Sequence, residues 1–338
     1  MYKTEPIGVI SFEDLHIRHL NLIIDLKNKE FNNWLYKMAI INTFEDLKVF
    51  LINLEKNKNK CVIAIQNKKV IGFVHTYPIN CQKTCLMIDE PQIFDNEIKN
   101  SNRDLILDLV KKAISLNDSK LSNWIISSNI NNKVLISISR ELGFQPTNEV
   151  ILWQKPIKHI TKSTNHGSSL TENFKRIDKS NIKAVLNFVR SNESILIRSL
   201  FNFVQKDIEK RNDQYSGYIE ASEEIILTIL KDINYKGKTV YSLLTSLCWD
   251  ERLKINLKNL LDNILIEKNE LIFKTCSDNK NLNKFLKDLQ FNEIKIELIL
   301  IKNSMIRTQK NVLTQNKPLD SIFNKLNPQG NVFPSPTP

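Results

Sequence analysis

Glycine is scarce in this chain, which has only seven glycines among 338 residues. An average protein of this length carries about 7% glycine. A phosphate-binding loop that lets the backbone close on a ligand therefore has to find its glycines among isolated positions. Those positions are Gly8, Gly72, Gly143, Gly167, Gly217, Gly237 and Gly330.

Long apolar runs and paired cysteines are also missing. No stretch reaches the roughly 18 consecutive apolar residues of a membrane span. Lys3 and Glu5 are not followed by the apolar run of a signal peptide. The five cysteines are odd in number and only Cys81 and Cys85 are close together, which is too few ligands for a zinc site. We expect a cytoplasmic protein without a metal and without a membrane partner.

The net charge of +11 has two interpretations. It indicates an anionic partner, such as nucleic acid or the phosphates of a cofactor. It also fits a composition in which lysine, asparagine and isoleucine are simply abundant, so that lysine fills the surface. No dense run of Lys and Arg with interleaved aromatic residues occurs, so nucleic-acid binding is the less favoured interpretation.

The length predicts two domains, because a single core stops growing at roughly 250–300 residues. A polar segment rich in Ser, Thr and Asn, residues 157–172, is typical of a linker. We therefore predict an N-terminal domain over 1–156, a C-terminal domain over 173–303 and a basic tail over 304–338. Within the tail, 318–338 combines apolar residues with prolines and is either a free tail or a docking segment for a protein partner.

Hydrophobic periodicity predicts the same order of elements in both halves. In the first half we expect helices over 12–26, 44–56, 102–116 and 131–142, with strands at 61–65, 70–77, 84–89, 124–127 and 149–154. In the second half we expect helices over 179–189, 194–209, 256–266 and 279–289, with strands at 174–177, 217–220, 224–230, 239–247, 271–275 and 295–301. The repeated order predicts an internal duplication and an α/β fold, in which each half is a mixed, mostly antiparallel sheet flanked by helices.

Two stretches carry a resemblance to a known family. The first is the apolar hairpin 62–65 and 70–74 with Gly72 in its second strand; the second is 141–144, preceded by Asn131 and followed by Trp153. With this order of elements, the chain resembles the GNAT superfamily of acyl-coenzyme A-dependent N-acyltransferases twice over, the second copy being degenerate. The resemblance implies acetyl-CoA or another acyl-CoA as co-substrate and an amine as acceptor.

The resemblance also implies where the acyl-CoA binds. In that family the pantetheine arm pairs with the fourth strand at a gap between two parallel strands, and the pyrophosphate lies on the N-terminus of the next helix. Carried over to the first half, this implies the following cofactor-binding residues: Leu86, Met87 and Ile88 on the strand, Lys99, Asn102 and Arg103 at the helix start, and Asn131 before the last helix.

The chain departs from the family's phosphate-binding signature. No glycine lies between Gly72 and Gly143. In the second half Arg252 stands at the signature arginine, but Ile255 and Leu257 stand near the glycine positions, so we expect that site to be closed. Alternatively, the arginines and lysines at both helix starts are ordinary surface charges.

The family's general acid, a tyrosine on the last helix, is replaced by Ser139 in the first half and Leu286 in the second. Candidate catalytic residues are therefore His75, because an imidazole titrates near neutral pH, Asp89 at the end of the fourth strand, and Ser139 itself. The alternative for His75 is a polar residue at a strand end.

Three functions compete. The first is an acyl-CoA-dependent N-acyltransferase, more specifically an N-acetyltransferase, with an unknown amine acceptor. The second is a catalytically inactive tandem fold that binds a protein partner. The third is a nucleic-acid or ribosome binder, which the sequence favours least because a stacking platform is not visible.

Overall fold

The computed structural model describes residues 10–24, 29–52, 59–94, 102–116, 123–155, 174–193, 195–232, 239–246, 249, 251–267 and 271–303. The chain divides into two compact units, Met1–Ser304 and Met305–Pro338. The predicted linker, Lys99 and the predicted docking segment 318–338 lie outside the described residues.

The described strands form one continuous sheet across both halves of the chain. Their bounds are β1 Ser11–Asp14, β2 Lys60–Gln66, β3 Lys69–Pro78, β4 Cys85–Ile88, β5 Gln92–Ile93, β6 Asn123–Asn129, β7 Gln145–Gln154, β8 Phe174–Arg176, β9 Gly217–Ala221, β10 Glu224–Lys231, β11 Val240–Thr245, β12 Ile272–Cys276 and β13 Asn292–Asn303.

The described helices cover the two faces of this sheet. Their bounds are α1 Leu20–Ile24, α2 Lys29–Ile52, α3 Asn102–Leu116, α4 Lys133–Glu141, α5 Ile182–Asn192, α6 Ile195–Phe201, α7 Gln205–Lys210, α8 Arg252–Glu267 and α9 Lys280–Asp288, with a 3₁₀ turn at Ile17–His19 before α1. Within the described part of the chain, no helix combines the length and the apolar character that a bilayer crossing requires.

Three helix predictions need correction. The helix expected over 12–26 begins instead as β1, which pairs with β2 through Phe12 and Ala64, and helical structure resumes at α1. The pairing satisfies the backbone groups of β1 that face β2, and it outweighs the local helical spacing. The helix expected over 44–56 is the second part of the longer α2. The helix expected over 194–209 is divided into α6 and α7 by Asn202, whose φ of 43° is left-handed.

The strand order along the sheet is β1-β2-β3-β4-β6-β13-β7-β12-β11-β10-β9-β8, and β5 pairs with β3. The two parallel pairs are β4 with β6 and β11 with β12; the other neighbouring pairs are antiparallel. The predicted fold class, a mixed and mostly antiparallel sheet flanked by helices, is confirmed.

The last strand of each half completes the other half's sheet. β13, from the end of the second half, lies between β6 and β7 of the first, with Ile299 opposite Ser127 of β6. β7 pairs in turn with β12 of the second half, with Ile151 opposite Thr275. The two halves therefore exchange β7 and β13 and share one set of backbone hydrogen bonds.

Side-chain packing follows the same exchange. Leu300 of β13 is buried in the first half's core, which α3 and α4 cover. Ile151 and Trp153 of β7 are buried in the second half's core, which α8 and α9 cover. Alternation along the strands sends the neighbouring residues to the opposite face, where α6 packs on Ile125 and Ile299. The core under α3 and α4 and the core under α8 and α9 thus each contain residues from both halves.

The helices that follow β6 and β12 begin and end in the same way. Asn132 caps α4 by accepting a hydrogen bond from the backbone of Leu135, and Asn279 caps α9 by accepting one from Leu282. Both helices end on a residue with left-handed φ, Gly143 in the first half and Gln290 in the second. The pattern makes α4 and α9 structural counterparts.

Candidate functional site

Each half contains a pair of parallel strands that separate. β4 and β6 are paired from Cys85 opposite Asn123 to Ile88 opposite Ile126, where β4 ends. β11 and β12 are paired from Val240 opposite Ile272 to Ser242 opposite Lys274. We call the gap beyond β4 and β6 the first opening and the gap beyond β11 and β12 the second opening.

The second opening exposes the edge of β11. Beyond Ser242, β11 continues along β10 as far as Thr245, which lies opposite Leu227. β12 meanwhile continues along β7, with Cys276 opposite Val150. In the pairing of the described residues, 243–245 therefore have a partner on one side only. The chain after β4 has a corresponding edge: the N–H of Asp89 donates to the carbonyl of His75, and β5 pairs with Gly72 and Phe73 of β3, while among the described residues the pairing with β6 stops at Ile88.

A cavity of about 800 Å³ connects the two openings on one face of the sheet. The central strands form its floor, and α5, α6 and the residues that flank α7 contribute to its wall. At the first opening its lining includes Asp89, Glu90 and Ser127; at the second it includes residues 243–246 and the start of α9. The cavity therefore reaches both openings.

Charged side chains cross the first opening. Asn132 donates a 2.5 Å hydrogen bond to Glu90 of the chain beyond β4. Lys295 of β13 lies 3.7 Å from Glu90 and 2.8 Å from Glu297. The Glu297 carboxylate, in a residue that is 3% exposed, accepts a 2.7 Å hydrogen bond from Ser127. These contacts join β4, β13 and α4 across the gap where a ligand would enter.

The second opening is crossed by the counterpart hydrogen bond, from Asn279 to the hydroxyl of Thr245. The acceptor here is neutral, whereas Glu90 is a carboxylate. The next residues along β12 turn toward the second half's core, where Thr275 accepts from Trp153 at 2.8 Å and donates to Asn283 at 2.6 Å. The contacts that cross the first opening therefore involve charged groups, whereas the hydrogen bond that crosses the second joins two neutral side chains.

His75 lies behind Asp89 and outside the cavity lining. Its Nδ1 is 3.0 Å from Asp89 Oδ2, and its Nε2 is 2.6 Å from Asn59 Oδ1. The ring also stacks on Tyr77 and meets Trp34 edge to face. Asp89 itself lines the cavity. With both ring nitrogens hydrogen-bonded, His75 is placed to orient Asp89 rather than to contact a substrate.

Ser139 lies apart from the other predicted catalytic residues. It is fully buried on α4, and its hydroxyl donates a 2.7 Å hydrogen bond to the carbonyl of Leu135 one turn earlier. It is not part of the cavity lining. The position that carries a phenol in the family is thus closed off in the first half.

The predicted cofactor-binding residues divide into several environments. Leu86 and Ile88 are buried in the first half's core, whereas Met87 lines the cavity. The remaining predicted residues lie as follows: Asn102 begins α3 with a buried Oδ1 that has no hydrogen-bond partner among the described residues, Arg103 pairs with Glu141 at 2.5 Å, and the backbone N–H of exposed Asn131 donates to Asn129. The structure thus brings together Met87 and Asp89 at the cavity.

Glu193 is a cavity residue that the sequence did not single out. It follows the last turn of α5. Burial raises the pKa of its carboxyl to about 7, and the charges of Arg211, Arg198 and Arg190 partly counter that rise. A carboxyl group with such a pKa exchanges protons near neutral pH, which suits a general base. One glutamate beside several basic residues gives no signal of this kind in a sequence.

Arg211 is a second cavity residue that the sequence did not indicate. Its residue is 9% exposed, and its guanidinium donates to the carbonyl of Lys231 at 3.1 Å and to Ser242 at 3.3 Å. It also lies over the ring of Phe203 at 5.6 Å. Among the side chains that the structure describes, no carboxylate forms an ion pair with it. In the same set of residues, no group of three or more His, Cys, Asp or Glu is placed to hold a metal ion.

Comparison with known proteins finds relatives in structure and not in sequence. No family model and no curated protein matches the sequence. A GCN5-related N-acetyltransferase from Sphaerobacter thermophilus superposes with a TM-score of 0.51 at 8% identity, covering 87% of this chain and 96% of that one. A tandem GNAT protein from the clavulanic acid biosynthesis pathway gives 0.49 at 9% identity, covering 88% and 99%. The order of the strands, the two openings and the first of these matches together show that the chain has the fold of the GNAT superfamily.

Proposed function

We propose that this protein is an acyl-CoA-dependent N-acyltransferase, which moves an acetyl or longer acyl group from a thioester to an amine. One observation carries the proposal: the unpaired edge of β11 opens into the cavity that also holds Glu193. A free strand edge offers N–H and C=O groups to the amides of a pantetheine arm. A carboxylate that titrates near neutrality can accept the proton that the amine loses.

The reaction that these groups support is a direct transfer. The nitrogen of the amine forms a bond to the thioester carbonyl carbon, and the carbon–sulfur bond breaks. The nitrogen's proton passes to the Glu193 carboxylate, and coenzyme A leaves as a thiolate that takes up a proton from water. The cavity contributes by holding both reactants in contact and away from bulk water, which is the larger part of the catalytic effect for such a reaction.

We place the acyl donor at the second opening, although the sequence resemblance favoured the first. Glu90, Lys295 and Glu297 occupy the first opening with charge. Two bulky residues were expected to close the second site. Ile255, on the first turn of α8, is 70% exposed, and Leu257 is buried in the core. Because its side chain points to solvent, Ile255 does not fill the space at the start of α8, where the phosphates would bind.

A matched pair of variants tests both the activity and the choice of opening. Acetyl-CoA and myristoyl-CoA binding is measured by calorimetry for the wild type, Arg252→Glu at the start of α8 and Arg103→Glu at the start of α3. We expect binding by the wild type and weakening in Arg252→Glu, because charge reversal repels the phosphates. Weakening in Arg103→Glu instead would move the donor to the first opening. No binding of either acyl-CoA by the wild type would reject the enzyme.

A second candidate is an inactive tandem fold that binds a protein partner. The observation that favours it is that an asparagine side chain crosses both openings, Asn132 to Glu90 and Asn279 to Thr245. The partner would dock on the segment 318–338. Deleting that segment separates the candidates, because acyl-CoA binding should survive the deletion in an enzyme, whereas partner binding should disappear in a docking protein.

A further inference from the structure

We propose that the acceptor carries a carboxylate as well as an amino group, as an apolar α-amino acid does, and that Arg211 binds its carboxylate while its amino group faces Glu193. The proposal depends on the proposed function only in naming this ligand the acceptor. Both side chains line the same cavity, and they come from different elements: Glu193 follows α5, and Arg211 follows α7.

The case for a carboxylate begins with the environment of Arg211. Burying a cation is costly unless an opposite charge or a full set of hydrogen bonds compensates it. Two neutral oxygens, those of Lys231 and Ser242, accept from a guanidinium that has five N–H groups. The nearby cation Lys274 is already paired with Asp232 at 2.9 Å. Among the described residues, Arg211 is thus a buried cavity cation that lacks a carboxylate, and a ligand carboxylate would supply one.

The case for an amino group rests on the presence of the Glu193 carboxyl in the same cavity as Arg211. Their charges interact, yet no ion pair joins them among the described contacts. Arg190 donates a 2.5 Å hydrogen bond to the backbone carbonyl of Phe203, and Arg198 donates a 3.3 Å hydrogen bond to the backbone carbonyl of Glu193. The Glu193 carboxyl therefore stays available in the cavity, and the α-carbon of an amino acid is the smallest frame that presents an ammonium and a carboxylate to two such groups.

The side chain of the acceptor would meet an apolar wall. Phe203 covers the Arg211 guanidinium, and Phe201 and Ile197 of α6 line the same cavity. Phe201 and Phe203 also pack on each other with ring centroids 5.1 Å apart. These neighbours favour an apolar amino acid over a charged one, because a charged side chain would lose its hydration there.

Calorimetry without acyl-CoA tests this inference. Leucine, methionine and phenylalanine are each compared with the amine that lacks the carboxylate, for example 3-methylbutylamine for leucine, and with the acid that lacks the amino group, 4-methylpentanoate. We expect at least one amino acid to bind roughly tenfold or more tighter than both of its analogues, since both charged contacts are then made. Equal binding of an amino acid and its amine, or no binding of any of the three by folded protein, would overturn the proposal.

Variants assign the two ends of the ligand. Arg211→Lys keeps a cation but loses the planar donor set, so the amino acid should bind about tenfold more weakly while the amine is unaffected. Glu193→Gln should weaken both the amino acid and the amine. Arg176→Gln, an exposed arginine of β8, is the control and should change neither. If Arg211→Lys unfolds in circular dichroism, Glu193→Gln still decides the amino end: unchanged binding there would contradict the assignment.

The outcomes also separate this inference from the proposed function. Binding of acyl-CoA without binding of any amino acid would support the acyltransferase and reject an amino acid as its acceptor. Binding of an amino acid without binding of acyl-CoA would keep the site formed by Arg211 and Glu193 and reject the acyltransferase.

Discussion

The two halves of this protein form the same kind of opening between parallel strands, but different side chains cross it. An asparagine at the start of the following helix crosses each gap, but Asn132 meets the carboxylate of Glu90 and Asn279 meets the hydroxyl of Thr245. Lys295 and Glu297 add further charge to the first gap, and both come from the strand that the second half contributes. The comparison teaches that one fold can bridge the same opening with charged or with neutral side chains, so that side chains rather than the backbone decide what each opening can bind.

The largest expected effect tests whether the halves are independent. Trp153→Ala should lower the free energy of unfolding by about 3–5 kcal/mol, because a fully buried indole is removed from the second half's core. Trp124→Ala removes an almost fully buried indole from the first half's own core and serves as the matched variant. Urea unfolding should show one shared transition for both. Two separable unfolding transitions would contradict the exchange if Trp153→Ala shifted only the transition of the first half, because Trp153 would then contribute to its own half alone.

The second prediction concerns the carboxyl group of Glu193, which the second half contributes to the cavity. The pKa of Glu193 is about 7 in the folded protein against an ordinary 4.5, so between these two pH values the folded protein keeps the proton that the unfolded chain has lost. The stabilising contribution is complete below pH 4.5 and is lost as the pH rises through about 7. Over that window we expect a loss on the order of 2 kcal/mol.

Urea midpoints measured from pH 5 to pH 8 check this expectation. Glu193→Gln should flatten the fall in the midpoint, because the neutral amide does not titrate. Glu209→Gln, an exposed glutamate of α7, is the control and should leave the fall unchanged. A wild-type midpoint that rises with pH over this range would show that the carboxyl is not held protonated by burial.

The third prediction sharpens the contrast between the two crossing asparagines. In Asn279→Asp the carboxylate still caps α9 and can accept from Thr245, so stability should change by less than about 0.5 kcal/mol. In Asn132→Asp the new carboxylate faces Glu90, so the same substitution should cost about 1–2 kcal/mol at neutral pH. Thermal unfolding of the two variants measures the difference. Equal effects would mean that the charge at Glu90 is not coupled to the cap.

The smallest expected effects concern the ends of the counterpart helices. Gln290 adopts φ +64°, and Gly143 adopts φ +86°, where an added methyl group would meet no other atom within 4 Å. Gln290→Gly should therefore stabilise by up to about 0.5 kcal/mol, and Gly143→Ala should destabilise by about 1 kcal/mol, because a side chain strains a left-handed residue. Differential scanning calorimetry resolves the opposite signs. A shared sign would show that local strain does not control these two positions.

Local elements of the fold were predictable from the sequence. The hairpin of β2 and β3 follows from two apolar runs around a polar turn, and α3 matches its expected bounds because its apolar residues recur at helical spacing. The exchange of β7 and β13 was not predictable. Both strands alternate in the same way and follow similar helices, so periodicity does not determine which neighbour each one chooses.

The site was harder to predict than the fold. Asp89 and Met87 lie in the cavity because they end or follow the fourth strand, which the family resemblance located. The positions of Glu193 and Arg211 in the cavity depend on how α5 and α7 pack against the sheet, and no local sequence pattern predicts that packing. Ser139 was selected by its position relative to the family and not by its surroundings, which are the helix's own carbonyl and the core.

The position of β13 has a consequence for how the protein is made. The slot between β6 and β7 stays empty until residues 292–303 have left the ribosome, because that strand comes from the far end of the sheet-forming chain. During most of synthesis the first half thus presents two unsatisfied strand edges, which are surfaces prone to wrong pairing. Nascent chains of this protein should accordingly need shielding until β13 has been translated and can pair.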